Sequence, residues 1–196
     1  MKKNNFPVFP LGIVALPGSI QSLQIFEPRY MQMVKNCLSE NYGFVIVFDS
    51  NSKSTSDFSF SKKGSFVEII DFNNLPNGLL GITVKSINKV VINNTFQQED
   101  GLHIADTKPA IDPEVDDQAV LAEYPEITSI LNQLLKHPRI SDLPMNIDFG
   151  SADSVAYHLA GLIPLTSLEK QKLLEAFDAT QRMRILADYI QRISTA

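Results

Sequence analysis

The 196-residue chain has no tryptophan, one cysteine, three histidines and no positive excess of charge, and the last three shortages each count against a class of function. A lone Cys37 excludes an intramolecular disulfide and a cysteine-based zinc site. His103, His137 and His158 fall in three separate segments, none in a metal spacing such as H-E-x-x-H, so no metal is expected. A net charge of −5 and a pI near 5.2 count against an electrostatic grip on phosphates. Residues 1–112 carry ten basic and ten acidic side chains, and residues 113–196 carry seven and twelve. Neither part offers a basic surface, so no nucleic acid partner is expected. No run approaches ~18 consecutive apolar residues, so no membrane-spanning helix and no membrane partner are expected. Pro7 and Pro10 break up the start of the chain, leaving no apolar run of signal-peptide length. A phosphate-binding loop is missing too. GITVKS at 81–86 lacks the second glycine before its lysine and sits within a strand pattern. No cofactor is expected, and the cytoplasm is the expected compartment.

What remains is the composition of a soluble globular protein, 44% hydrophobic and 20% charged. A chain of this length buries roughly 70% of its unfolded surface and needs no metal or disulfide to hold a core. The pattern changes near residue 112 and predicts two subdomains, 1–112 β-rich and 113–196 a helical bundle, an α+β fold. In the first, candidate strands cover 6–10, 22–26, 43–49, 64–72, 79–87, 88–97 and 102–108. The fifth and sixth are separated by so little that they read either as a hairpin or as one bent strand. Asn77-Gly78 is the strongest turn signal, because the pair readily takes positive φ. The Ser- and Lys-rich segment 50–63 reads as a surface loop in its first part. One helix is embedded here: Pro28 suits a first helical position, and Tyr30, Val34, Cys37 and Leu38 share a face.

The second subdomain is read from its caps and stripes. Ile127, Ile130 or Leu131, Leu134 and Leu135 form one stripe, with Pro125 kinking or starting that helix and Pro138 ending it. Ser151 reads as the N-cap of a helix striped by Val155, Leu159, Leu162 and Ile163. Thr166 with Glu169, and Asp178 with Gln181, have capping-box spacing ahead of two further helices. The last aligns Met183, Leu186, Ile190 and Ile193.

None of the groups that carry chemistry elsewhere meets its requirements here. A nucleophilic cysteine needs a partly exposed, electropositive setting, whereas Cys37 lies on the apolar face of its helix. His137 is expected to meet the C-terminal dipole of a helix, and His158 to be a satisfied structural group. Asp112, Glu114, Asp116 and Asp117 lack the alternating ligands, sharp-turn glycine and distal glutamate of a calcium loop. They read as a solvated linker whose aspartates favour the next helix N-terminus. No catalytic residue is expected. Glu27-Pro28-Arg29 reads either as an exposed recognition site or as architecture, with Glu27 capping the helix and Arg29 tying it to a strand. The apolar start, FPVFPLGIVALPGSI, contains prolines that cannot donate to a ladder, so it runs at an edge or bridges between strands. Ile13, Val14 and Leu16 either plug the barrel or form an exposed apolar patch able to take up unfolded chain.

The ordered set Phe9, Pro10, Leu11, Pro17, Gly18, Phe26, Glu27, Pro28, Arg29 and Tyr30 resembles the opening signature of the Lon protease N-terminal domain family. GSFVEIIDFNNLPNGLLGITVKSINKVVI looks like that family's Gly-led strand, Leu-Pro-x-Gly turn and paired strands. It departs at Ser86 and at Lys89-Val90, where the family usually shows Gly and then Arg-Phe. DSVAYHLAGLIPLTSLEKQKLLEAFDATQRMRIL is similar to the family's terminal helices, so the resemblance spans nearly the whole chain. It implies a PUA-like β-pseudobarrel with one embedded helix, followed by a helical bundle. It also implies a non-catalytic module that recognises unfolded or apolar polypeptide segments, alone or as an adaptor to a Lon-type protease. The ATPase and Ser-Lys peptidase modules of full-length Lon proteases are expected to be absent from a chain ending at Ala196. Two other classes stay open: a small-molecule or enzymatic cleft between barrel and bundle, and an RNA-binding PUA-like domain.

Overall fold

A computed structural model describes residues 5–50, 60–141 and 143–195. The chain divides into two compact units, Met1–Ala110 and Ile111–Ala196.

The first unit is one six-stranded sheet wrapped into a barrel. Its strands are β1 (Asn5–Leu11), β2 (Ile20–Ile25), β3 (Phe44–Phe48), β4 (Lys63–Asn74), β5 (Leu80–Gln97) and β6 (His103–Pro109). Helix α1 (Pro28–Glu40) lies between β2 and β3. The strand order is β2-β5-β4-β3-β1-β6, and a further β5–β6 pairing closes five of the strands into a ring. Closure depends on the length of β5. The run from 80 to 97 is one continuous strand, not a hairpin: its first half pairs with β2 and its second with β6, across a register shift near Ile92. The Leu75–Leu79 turn before it closes around Gly78 at φ 78°.

β1 reconciles its prolines with a place inside the sheet by changing partner midway. Pro7 lies opposite Ile104 of β6, and Pro10 opposite Val47 of β3, the single parallel pairing. β3 explains why FVIVF is an unbroken apolar run: the sheet buries both of its faces. Phe44 and Ile46 join α1 in one cluster with Phe9, Ile25, Tyr30, Met33, Ile82 and Val84. Val45 and Val47 face the other way, into a cluster with Val8, Val90, Ile92 and Ala105. Two glycines let strands approach. A β-carbon on Gly43 would sit 2.0 Å from the Val67 carbonyl oxygen, and one on Gly64 2.5 Å from that of Ile46.

α1 buries Tyr30, Met33, Val34 and Cys37. Leu38, expected on that face, is 40% exposed instead. A stripe of Tyr30, Met33, Val34 and Cys37 follows the i, i+3, i+4, i+7 positions, and Leu38 at i+8 rotates past its edge.

The second unit holds α2 (Asp117–Glu123), α3 (Pro125–Leu135), α4 (Pro138–Ser141), α5 (Ala152–Leu162), α6 (Ser167–Glu175) and α7 (Ala179–Ser194). Local capping chemistry sets most boundaries. Asp116, Ser151, Thr166 and Asp178 each accept from a backbone N–H in the first turn of the helix they precede, and Thr166 with Glu169 forms a complete capping box. Pro125 opens α3 rather than kinking a longer helix. α5 is the central element, buried from Val155 through Ala160 on all sides, as expected for a helix surrounded by others.

Candidate functional site

The Phe-Glu-Pro-Arg-Tyr motif at 26–30 joins β2 to α1: Pro28 opens the helix, and Glu27, Arg29 and Tyr30 are each engaged within the fold. Glu27 does not cap α1 with its side chain. Its carboxylate instead accepts from Arg29 Nε at 2.8 Å, while its backbone carbonyl accepts the first N–H groups of the helix. Arg29 then donates to the Gly101 carbonyl at 2.9 Å, tying the helix start to the β5–β6 turn. Gly101 has φ 85°, which a β-carbon would strain. Tyr30 stacks on Phe9 at 4.0 Å between ring centroids, linking the two halves of the motif inside the core. Phe26 does not join them: it is 66% exposed. Gly18, at φ 82°, turns the chain into β2 and donates to the Ser86 carbonyl at 2.9 Å. Ser86, one of the departures from the family pattern, is buried there and its hydroxyl donates to the Ala15 carbonyl at 3.3 Å.

The three adjacent apolar residues proposed as a polypeptide-binding patch are not presented together. Val14 is 6% exposed and Leu16 1%, so both pack into the fold; Ile13 alone is open, at 37%. Val14, Ala15 and Leu16 form an unbroken buried run between β1 and β2, and Ala15 is claimed by the core cluster as well. Sequence adjacency therefore overstated the patch. Among the described residues of the first unit, the large apolar side chains left open are Ile13, Phe26, Ile70, Phe72, Ile87 and Phe96, together with Met31 and Leu38 of α1. Ile70 is recognisable only from the structure: a register shift between Ile69 and Asp71 leaves it opposite no β5 residue, so it bulges outward.

The chemistry-bearing side chains occupy structural settings. The Cys37 thiol is buried and pushed up to about 12, chiefly by that burial. His103 is held below its ordinary range by burial and by the Arg29 charge. His137 does not serve a helix C-terminus; it is exposed and its Nδ1 accepts from the Arg139 N–H at 3.2 Å, capping the start of α4. His158 is buried and only half satisfied, with Nδ1 2.7 Å from the Ser154 carbonyl oxygen. Among the described residues no group of three or more His, Cys, Asp or Glu is placed to hold a metal ion. No helix there is long and apolar enough to cross a membrane.

The acidic cluster is where the sequence reading needs most revision. Asp112 is not solvated linker. It meets the guanidinium of Arg182, a side chain fully buried in α7, at 2.7 Å. The same guanidinium pairs with Asp153 and donates through Nε to the Leu173 carbonyl at 2.9 Å. It also lies over the Tyr157 ring at 4.6 Å. Asp117 accepts from the Ala152 N–H at 2.8 Å, at the start of α5, and Asp116 caps α2. On the same unit an open depression of about 410 Å³ is lined by Lys172, Glu175, Ala176, Gln181, Ile185, Asp188 and Tyr189. Its lining includes four titratable side chains, Lys172, Glu175, Asp188 and Tyr189, and no cysteine, serine, threonine or histidine.

A closed barrel with one helix wrapped into its core, followed by a helical unit, defines the class of fold. The family model of the ATP-dependent protease La (LON) substrate-binding domain matches residues 5–192, and the chain belongs to that family. It is 23% identical to a Lon protease of Heliobacterium modesticaldum over 95% of this chain and 24% of that protein. A Lon protease of Bacillus thuringiensis is 21% identical, over 94% of this chain and 24% of its own length. The chain thus spans about a quarter of the length of these relatives. Among solved structures, a Lon N-terminal domain protein from Xanthomonas campestris superposes with a TM-score of 0.73 at 23% identity, covering 94% of this chain and 98% of that one. The N-terminal domain of a Mycobacterium avium complex Lon protease gives 0.71 at 18% identity, covering 94% and 97%.

Proposed function

We propose that this chain is a substrate-recognition module that binds unfolded or apolar polypeptide segments in the cytoplasm, alone or as an adaptor for a Lon-type protease, without catalysis of its own. The observation that carries the reading is the family match across residues 5–192, since the matching domain is the substrate-binding one. The β-rich unit supports it with uncharged contact area: Phe26 is 66% and Phe72 57% exposed. Ile13 remains the part of the proposed patch that is open to a partner. Affinity would come from apolar area removed from water, about 25 cal/mol per Å² before the cost of ordering a flexible ligand is subtracted.

The test is a fluorescence anisotropy titration of the chain against a labelled, reduced and carboxymethylated model protein that cannot fold. Saturable binding near the micromolar range, weakened by the double substitution Ile13→Ser and Phe26→Ser, is the expected result. No binding at concentrations a hundredfold higher would remove the reading.

A further inference from the structure

β2 ends the sheet, and its outer side is bare. β2 and β6 occupy the same side of β5 in succession, β2 along Leu80–Lys85 and β6 along Val90–Gln97. The ring closes through β6, and among the described residues no strand pairs with the far side of β2. The hydrogen-bond phase identifies which groups face outward. Gly18 donates to the Ser86 carbonyl and Ser86 donates to the Ser19 carbonyl, each at 2.9 Å, so the pairing at Ser86 is hydrogen-bonded. Bonded and non-bonded pairs alternate in an antiparallel ladder. Gln21, Leu23 and Ile25 therefore bond to Val84, Ile82 and Leu80, while Ile20, Ser22 and Gln24 turn their N–H and C=O groups away from β5. The Leu75 N–H donates to the Leu79 carbonyl at 2.9 Å, which puts Gly81 and Thr83 in phase with β4 and fits the same assignment. None of those outward groups has a hydrogen-bond partner among the described residues, and Ser22 and Gln24 are exposed.

Proteins normally protect such an edge with lysine, proline or an inward charge. Here the chain has no charged residue between Lys3 and Glu27, and IQSLQI contains no proline. The exposed apolar side chain of Phe26 follows the edge directly in sequence.

We propose that the outer edge of β2 is a strand-addition site, which takes up one extended, uncharged polypeptide segment by backbone pairing with Ile20, Ser22 and Gln24. This rests on the polypeptide-binding reading and specifies its mode. Three outward N–H groups alternating with three C=O groups complement the main chain of an extended peptide and say nothing about its sequence, which suits recognition of unfolded chains in general. Side chains add a preference. The bound strand's residues on the Leu23 and Ile25 face would meet apolar surface, and those on the Ser22 and Gln24 face would meet polar surface or water. Alternating apolar and polar segments are therefore favoured. A second copy of this chain fits less well. A six-residue strand is about 20 Å long, and an edge of that length covers well under the ~1,200 Å² of a stable interface.

The probe is a fluorescent octapeptide, Lys-Thr-Val-Ser-Val-Thr-Val-Lys, titrated against the full chain beside the same peptide N-methylated at alternate residues in each of the two phases. One methylated phase should lose at least tenfold in affinity and the other should bind nearly as the parent does. Ser22→Pro, which removes an outward donor without touching the β5 ladder, should weaken the parent peptide and the tolerated methylated phase by a similar factor and leave the already weakened phase unchanged. Equal binding of all three peptides would overturn strand addition while leaving polypeptide binding intact. Failure of both the peptide and the unfolded model protein to bind would remove the underlying reading as well. Dimerisation that is abolished by Ser22→Pro, with no peptide bound, would assign the edge to a second copy and overturn the proposal. If Ser22→Pro does not fold, the two methylated peptides decide.

Discussion

Replacing Arg182 with methionine tests the account of the helical unit where its cost is largest. The Arg182 side chain is fully buried, and it holds Asp112, Asp153 and the Leu173 carbonyl at once. Methionine keeps much of the volume and removes the charge, so the loss is mainly electrostatic and hydrogen-bonding. Breaking a buried ion pair from one side costs about 3–5 kcal/mol, largely because the abandoned charges stay in place. Asp112 and Asp153 are 14% and 37% exposed, so water recovers part of that cost and the lower end applies. The expected loss is therefore about 3 kcal/mol. For a unit of this size each kcal/mol moves the melting temperature by about 4–8 °C, which predicts a drop of about 12 °C or more. Far-UV circular dichroism at 222 nm follows the helical unit preferentially and reads the shift. Adding Asp112→Asn and Asp153→Asn to Arg182→Met should restore part of the stability, since it removes the stranded carboxylates. A fall of less than about 4 °C for Arg182→Met, or no recovery in the triple variant, would refute the reasoning.

Gly43→Ala should destabilise the β-rich unit by about 2 kcal/mol or more, because its β-carbon would lie 2.0 Å from a backbone oxygen that cannot swing away; urea denaturation checks it. Cys37 should resist iodoacetamide at pH 8 in the folded protein and react in urea, since burial holds its thiol up at about 12. Glu169 is held below the usual carboxylate range chiefly by the Thr166 N–H, against an opposing pull from burial. A lowered folded value adds stability above the unfolded pKa, about 4.3, and that stability is lost as pH falls through the folded one. Glu169→Ala should therefore destabilise the protein more at pH 7 than at pH 3, read from thermal melts at both values.

The features legible in the sequence are those whose physics is local. Ser151, Thr166 with Glu169, and Asp178 announce helix starts because a cap and its N–H partner lie three residues apart. Pro28 and Pro125 mark first turns for the same reason. The apolar run of β3 discloses a strand buried on both faces. What escaped is long-range. Arg182 is separated from Asp112 by 70 residues and from Asp153 by 29, and no spacing rule links such positions, so an acidic cluster read as solvent-facing. Ile13, Val14 and Leu16 look alike in sequence, yet the core claims the last two and leaves the first. The bare edge of β2 is a property of the sheet order. It depends on β6 reaching past β2 to close the ring, which no residue of β2 reveals.

The most direct measurement of polypeptide recognition is isothermal calorimetry of this chain against one model protein in its native and its permanently unfolded forms. The account predicts dissociation in the micromolar range for the unfolded form alone, about −8 kcal/mol. It also predicts a negative heat-capacity change, as apolar surface leaves water. Equal affinity for the two forms, or no heat with either, would contradict it.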